Sequence, residues 1–212
     1  MAQIKATEFF ELWTDFIQKE ILNDSDWIKW YDDNKIWTEK TIGNKISETK
    51  KSPFGDYCIT KKEQLRYRKE DGLTDLSFSL KQHFKDIYSL HENTDERREV
   101  ISNNIFYPTF YEVLVEHENN IYLCYEEMFK LTYDRARLKV LITYNENVDK
   151  KSDYKFINEI LTNNFRTKIN QANTKHPENS ETEYLLIIGQ KVNNNLIWYS
   201  YIFDKNGKIY DY

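Results

Sequence analysis

Residues 111–144 read YEVLVEHENNIYLCYEEMFKLTYDRARLKVLITY, and this stretch decides the architecture. Its opening alternates. Val113 and Val115 fall on one side of an extended chain, and Glu112, Leu114, Glu116 and Glu118 on the other, because successive strand side chains point to opposite faces. After Asn119 and Asn120 the pattern turns helical through 121–137, and RLKVLITY, residues 137–144, carries enough Leu, Val and Ile for a buried strand. Strand, helix, strand at this spacing is a βαβ unit, so strands 110–118 and 138–144 are expected to be parallel neighbours. Two carboxylates, Glu116 and Glu118, are then stacked on one face at the end of the first strand.

Working outward, Phe9, Leu12, Trp13, Phe16 and Ile17 recur at helical spacing and predict an amphipathic helix over 5–22. Residues 23–56 hold Trp27, Trp30, Tyr31 and Trp37 among polar residues and read as short helical and irregular pieces forming an aromatic flank. Alternation on either side of Asp71-Gly72 predicts a β-hairpin over 63–80, with its second strand at Thr74–Leu80. Residues 81–104 read as helix or loop, and Pro108 marks where the next strand begins. Downstream, a second helix is expected over 152–169 and a polar loop over 172–181. YLLIIGQKV, NLIWYSYIF and KIYDY then form strands joined by turns at Asn193-Asn194 and Lys205-Asn206-Gly207.

The expected fold is therefore α/β of the α+β kind, a mixed central sheet flanked by helices. A chain of 212 residues is long enough to bury a sizeable core as one domain. Within 1–212, residues 1–56 form the N-terminal helical and aromatic flank, 57–170 the core, and 171–212 the strands that complete the sheet. With 40% hydrophobic and 16% aromatic residues the chain is too apolar for disorder.

Cys58 and Cys124 lack zinc-type spacing, which points away from a disulfide scaffold and towards a reducing, cytoplasmic setting. The first residues, MAQIKATEFFELWTDF, interrupt their apolar pattern with acids, unlike a signal peptide, and no run approaches a membrane span. Five glycines and no glycine-rich phosphate loop speak against nucleotide-cofactor chemistry. His83, His91 and His176 show no metal-ligand spacing, and no Ser-His-Asp or Cys-His arrangement appears.

The order helix, hairpin, acidic strand, helix, parallel strand, helix, over residues 5–170, resembles the PD-(D/E)XK nuclease-like superfamily, also called restriction-endonuclease-like. That family surrounds one or two divalent metals with an Asp on the second core strand and an acidic residue on the third, followed two positions later by Lys. Asp75 in GLTDLSFSL matches the first position and Glu116-His117-Glu118 occupies the second. Glu118 stands where the family usually has Lys. Some members place that Lys on the helix after the third strand, where Lys130 in EEMFKL is the candidate.

The resemblance implies a restriction-endonuclease-like core and a metal-dependent nuclease acting in DNA processing or defence. Asp75, Glu116 and Glu118 are its expected ligands for Mg2+ or Mn2+, and Lys130 its catalytic cation. Such a site is chemically intelligible, since magnesium takes carboxylate oxygens and keeps waters for an attacking nucleophile. Glu126 and Glu127 can add carboxylates; their alternative role is favourable charge at a helix N-terminus, with Glu126 pairing Lys130 four residues on.

Two other charged features are weighed in the same way. Lys139 is expected at the beginning of its strand, at the opposite edge from Glu116 and Glu118, facing solvent. His117 belongs to the Val113 and Val115 face as a structural residue. Net charge is −5, so nucleic-acid contact would fall to a local patch, with Lys61, Lys62, Arg66 and Arg68 in KKEQLRYRK as candidates. The alternative for that patch is a charged hairpin edge that resists edge-to-edge pairing. The alternative for the whole chain is a non-catalytic module of immunity or regulatory type, which binds a protein partner on the same fold.

Overall fold

The computed structural model describes residues 4–43, 51–71, 74–80, 111–121, 123–145, 151–177 and 180–210. The expected helix or loop at 81–104, with His83 and His91, lies outside them, as does Pro108.

Among the described residues the sheet has seven strands in sequence order. They are β1 (Leu65–Asp71), β2 (Thr74–Leu80), β3 (Tyr111–Glu118), β4 (Ala136–Asn145), β5 (Glu183–Val192), β6 (Asn195–Asp204) and β7 (Ile209–Tyr210). Strands β1, β2 and β3 pair antiparallel, β3 with β4 and β4 with β5 pair parallel, and β6 and β7 return antiparallel. The fold is mixed α/β, as the alternation of 63–80 and the βαβ reading of 111–144 require.

The two faces of the sheet hold different cores. Val113, Val115, Leu138, Val140, Ile142, Leu185 and Ile187 point to one face. There they meet α1 (Ala6–Phe16), its continuation as a π-helical turn (Ile17–Ile21), α2 (Trp27–Tyr31), α3 (Asn34–Thr41) and α4 (Pro53–Lys61). Trp13 is fully buried at the centre of this layer, edge-on to Phe54 at 5.0 Å and to Trp198 at 5.4 Å between ring centres. Such edge-to-face pairs place a positive ring edge on a negative ring face and add to the gain from burial. The other face presents Leu114, Leu141, Tyr184, Leu186 and Ile188 to α5 (Cys124–Tyr133) and α6 (Lys151–Lys175). On α6, Leu161, Phe165 and Ile169 recur every four residues, so they line one flank and bury together.

Local chemistry fixes the ends. Ser52 accepts from the Gly55 N–H and Pro53 follows it, a helix start that the aromatic-flank reading of 23–56 missed. Asn193 and Asn194 both have positive φ and close the β5–β6 hairpin, as expected. Gly207, at φ +77°, passes so close to α6 that a Cβ would lie 2.6 Å from the Arg166 carbonyl oxygen. The polar stretch expected as a loop from 172 onward is helical through Lys175. Its side chains lack apolar periodicity, but the packing of Phe165 and Ile169 carries the helix onward.

No helix among the described residues is long and apolar enough to cross a membrane. Trp13→Ala is expected to lower unfolding stability by about 3–5 kcal/mol, because a large ring is removed from a packed aromatic cluster. Urea denaturation of the purified protein measures it.

Candidate functional site

Glu116 sits near the carboxyl end of β3, on the Leu114 face. The register pairs Leu76 with Val115, so one step further Asp75 on β2 comes opposite Glu116. The Asp75 carboxylate accepts the backbone N–H of His117 at 2.9 Å, which ties β2 to β3 at this point. Helix α5 crosses the same face, anchored by buried Cys124, Met128 and Leu131. Its half-buried flank carries Glu127 and Lys130, three residues apart and hence neighbours. The Lys130 ammonium donates to both Glu127 oxygens, at 2.8 and 2.7 Å. The expected partner Glu126 is instead exposed, because α5 turns its Glu127 side, not its Glu126 side, towards β3.

Glu116 is almost wholly buried. Burial first, then the charges of Asp75 and Glu127 and a hydrogen bond with Glu127, push its carboxyl up to about 10, against the opposing pull of Lys130. Its Oε1 is enclosed without a hydrogen-bond partner. Burial acts to lower the Lys130 ammonium, but the bond to Glu127 and the fields of Glu116, Glu127 and Asp75 outweigh it and raise the group. Asp75, Glu116, Glu127 and Lys130 therefore form one electrostatic unit.

Glu118 has a different setting. Its Oε1 accepts the Asn120 N–H at 2.7 Å, closing the turn after β3, and its charge acts on the buried Cys124 thiol, which burial already pushes up. It is not among the charges that act most on Glu116. Among the described residues no three His, Cys, Asp or Glu side chains are grouped so as to hold a metal ion. The carboxylates whose charge acts most on Glu116 are Asp75 and Glu127 rather than Glu118.

His117 behaves as its strand parity predicts. It turns to the Val113 face, where its Nε2 is 2.7 Å from the Tyr144 hydroxyl and Trp13 packs nearby. Lys139 corrects the expectation. It is fully buried, with its ammonium 3.3 Å from the Tyr184 hydroxyl and 5.0 Å from the centre of that ring. Strand β4 lies between β3 and β5, and Phe165 of α6 packs edge-on against Tyr184, so the start of β4 has no solvent to face. Nor is it at a distant edge. Lys139 pairs with Leu114, one strand repeat, about 6–7 Å, from the Glu116–Leu141 pair.

The basic cluster is divided. Lys61 ends α4 over the Tyr57 ring, and Lys62 is ion-paired with Glu8. Arg66 pairs opposite Ser79 on the edge strand β1, on the face that carries Asp75, and Arg68 pairs opposite Ser77. In sequence, 61–69 reads as one local cluster, a phosphate contact or a charged hairpin edge, because the helix that starts at Ser52 and runs through Lys61 goes unrecognised there.

A carboxyl raised from an unfolded value near 4.5 to about 10 is a source of instability that grows with pH. Below the unfolded value both states are protonated and nothing is lost. Above it the unfolded chain releases a proton that folded Glu116 retains, so stability falls until pH passes the folded value. Glu116→Gln, which keeps the neutral shape, is accordingly expected to raise the melting temperature of metal-free protein at pH 8 and to leave it nearly unchanged at pH 4. Calorimetry at the two pH values checks this.

No family model, no curated protein and no solved structure matches this chain, so the site rests on its own geometry.

Proposed function

We propose that the protein is a divalent-metal-dependent nuclease-like protein that acts on nucleic-acid phosphodiesters, on a restriction-endonuclease-like core. Asp75 and Glu116 are its ligands for Mg2+ or Mn2+, and Lys130 is its catalytic cation. The observation that carries this reading is the position of Lys130. It stands on the helix after the third strand, within the fields of both Glu116 and Asp75, and supplies the positive charge that Glu118 cannot. The run of strands supports the core: two antiparallel pairings, then a parallel one through α5, with the acids on the second and third strands.

The donor set suits a hard cation. Glu116 Oε1 is a buried carboxylate oxygen that the protein leaves without a donor. Asp75 and Glu127 lie close enough to raise its pKa by their charge. Magnesium is commonly held by one or two carboxylates, with waters and substrate phosphate filling the remaining positions, so a group of three protein ligands is not required. When bound, the cation would polarise the phosphodiester and lower the pKa of an attacking water.

The chain's own residues do the rest. Asp75 is fixed by the His117 N–H, and the strand pairing holds it opposite Glu116. Glu127 holds Lys130 by two hydrogen bonds, keeping its ammonium where negative charge develops on a phosphate oxygen. Arg66, on the same face of the edge strand, offers a backbone-phosphate contact.

One observation favours a non-catalytic module that binds a protein partner. Without a cation, Glu116 is satisfied in part by a hydrogen bond to Glu127, so the cluster can persist as a structural unit. Cleavage of single- and double-stranded DNA and RNA with Mg2+ or Mn2+ decides between the two. Cleavage is expected, with Asp75→Asn, Glu116→Gln and Lys130→Ala each lowering the rate by about 100-fold or more and Glu118→Ala by far less. No cleavage of any substrate, together with no calorimetric heat of metal binding, removes the nuclease reading.

A further inference from the structure

Helix α5 shows two characters. One flank faces Asp75 and Glu116; the other carries Tyr125, Phe129 and Tyr133, four residues apart and therefore in one stripe. These rings are 48%, 46% and 59% exposed. Phe129 and Tyr133 pack edge-on with centres 4.6 Å apart. Lys168 of α6 lies 4.4 Å from the centre of the Tyr125 ring and 5.8 Å from that of Phe129.

Beside the stripe, between α5 and α6, opens a cavity of about 190 Å³ lined by Ile121, Tyr125, Met128, Ile160, Leu161 and Asn164, with the Cys124 side chain among its walls. That lies between the ~30 Å³ share of one water and the ~300 Å³ of a small drug site, which suits one planar ring. Asn164 is exposed and brings an amide with both donor and acceptor to this apolar slot. The charge is local as well. On this side α6 carries Lys168, whereas Arg166 lies on the other side against Gly207 and Glu159 precedes the slot.

We infer that this α5–α6 face binds single-stranded nucleic acid. One unpaired base enters the slot beside Tyr125 with its edge towards Asn164, its neighbours stack on Phe129 and Tyr133, and Lys168 swings from the rings to a phosphate. Aromatic rings with an adjacent cation are the combination that tolerates any base sequence and requires bases free of a duplex. A purely apolar partner would gain nothing from the Lys168 ammonium beside the rings. The choice of nucleic acid as ligand class rests on the function proposed above; the surface is measured separately from it.

The test is fluorescence anisotropy with a labelled DNA strand of about 15 nucleotides and its duplex, in EDTA so that no cleavage occurs. The single strand is expected to bind more tightly than the duplex. Phe129→Ala and Tyr133→Ala, at exposed positions the fold does not need, should each weaken it about fivefold or more. Lys168→Ala should flatten the salt dependence between about 50 and 200 mM.

The inference is overturned by absent binding, by binding that the stripe substitutions leave unchanged, or by a dimer in sedimentation that Phe129→Ala dissolves, which would make this face a contact between copies. If stripe-dependent binding persists while no metal supports cleavage, this surface stands and the catalytic reading falls. Cleavage with stripe-independent binding has the opposite meaning.

Discussion

Strand β3 is enclosed on both faces and must still end in a carboxylate. Val113 and Val115 lie against the N-terminal helices, and Leu114 lies under α5. The alternation that buries Leu114 places Glu116 on the same side, two residues on, where the helix above cannot be moved away without exposing Met128 and Leu131. The cost of enclosing this carboxyl is offset only in part, by a hydrogen bond with Glu127 and the charge of Lys130, and its Oε1 is left without a partner.

The parallel pairing of β3 with β4 follows from the same constraint. A parallel neighbour needs a crossover, and the crossover is α5 itself. The helix that covers Leu114 thus also brings Glu127 and Lys130 over the strand end. Asp75 arrives by another route, through the antiparallel β2, and is pinned by the His117 N–H. His117 in turn is held on the far face by Tyr144, so the aromatic layer around Trp13 steadies the strand that carries the acids. Two cores on opposite faces of one sheet, made by different parts of the chain, meet at residues 116 and 117.

Much of this was legible in residues alone. The 2-residue alternation of 111–118, the helical period that follows and the apolar strand after it predict the βαβ unit, and Asn193-Asn194 announces its hairpin. Asp75 is grouped with Glu116 in the sequence only through the family resemblance; the antiparallel register of β2 on β3 is what sets them opposite each other. The role of Glu127 was less visible, because Glu126 and Glu127 are equivalent in composition and only the rotation of α5 on the sheet separates them. Glu118 shares strand parity with Glu116, but it is the last residue of β3, and its side chain closes the turn at Asn120.

Lys139 marks the boundary between the two kinds of knowledge. Its parity along β4 comes from sequence, since that depends only on local geometry, whereas its level, expected at the opposite edge from Glu116, is fixed by the β3–β4 register. Its burial does not come from sequence either, because that depends on β5 pairing along the far side of β4 and on α6 placing Phe165 over Tyr184, residues 26 and 45 positions further along the chain. The sequence by itself determined which side chains share a face. Only the tertiary structure decided which of those faces keep water, because solvent is excluded by what packs from a distance and not by the strand's own pattern.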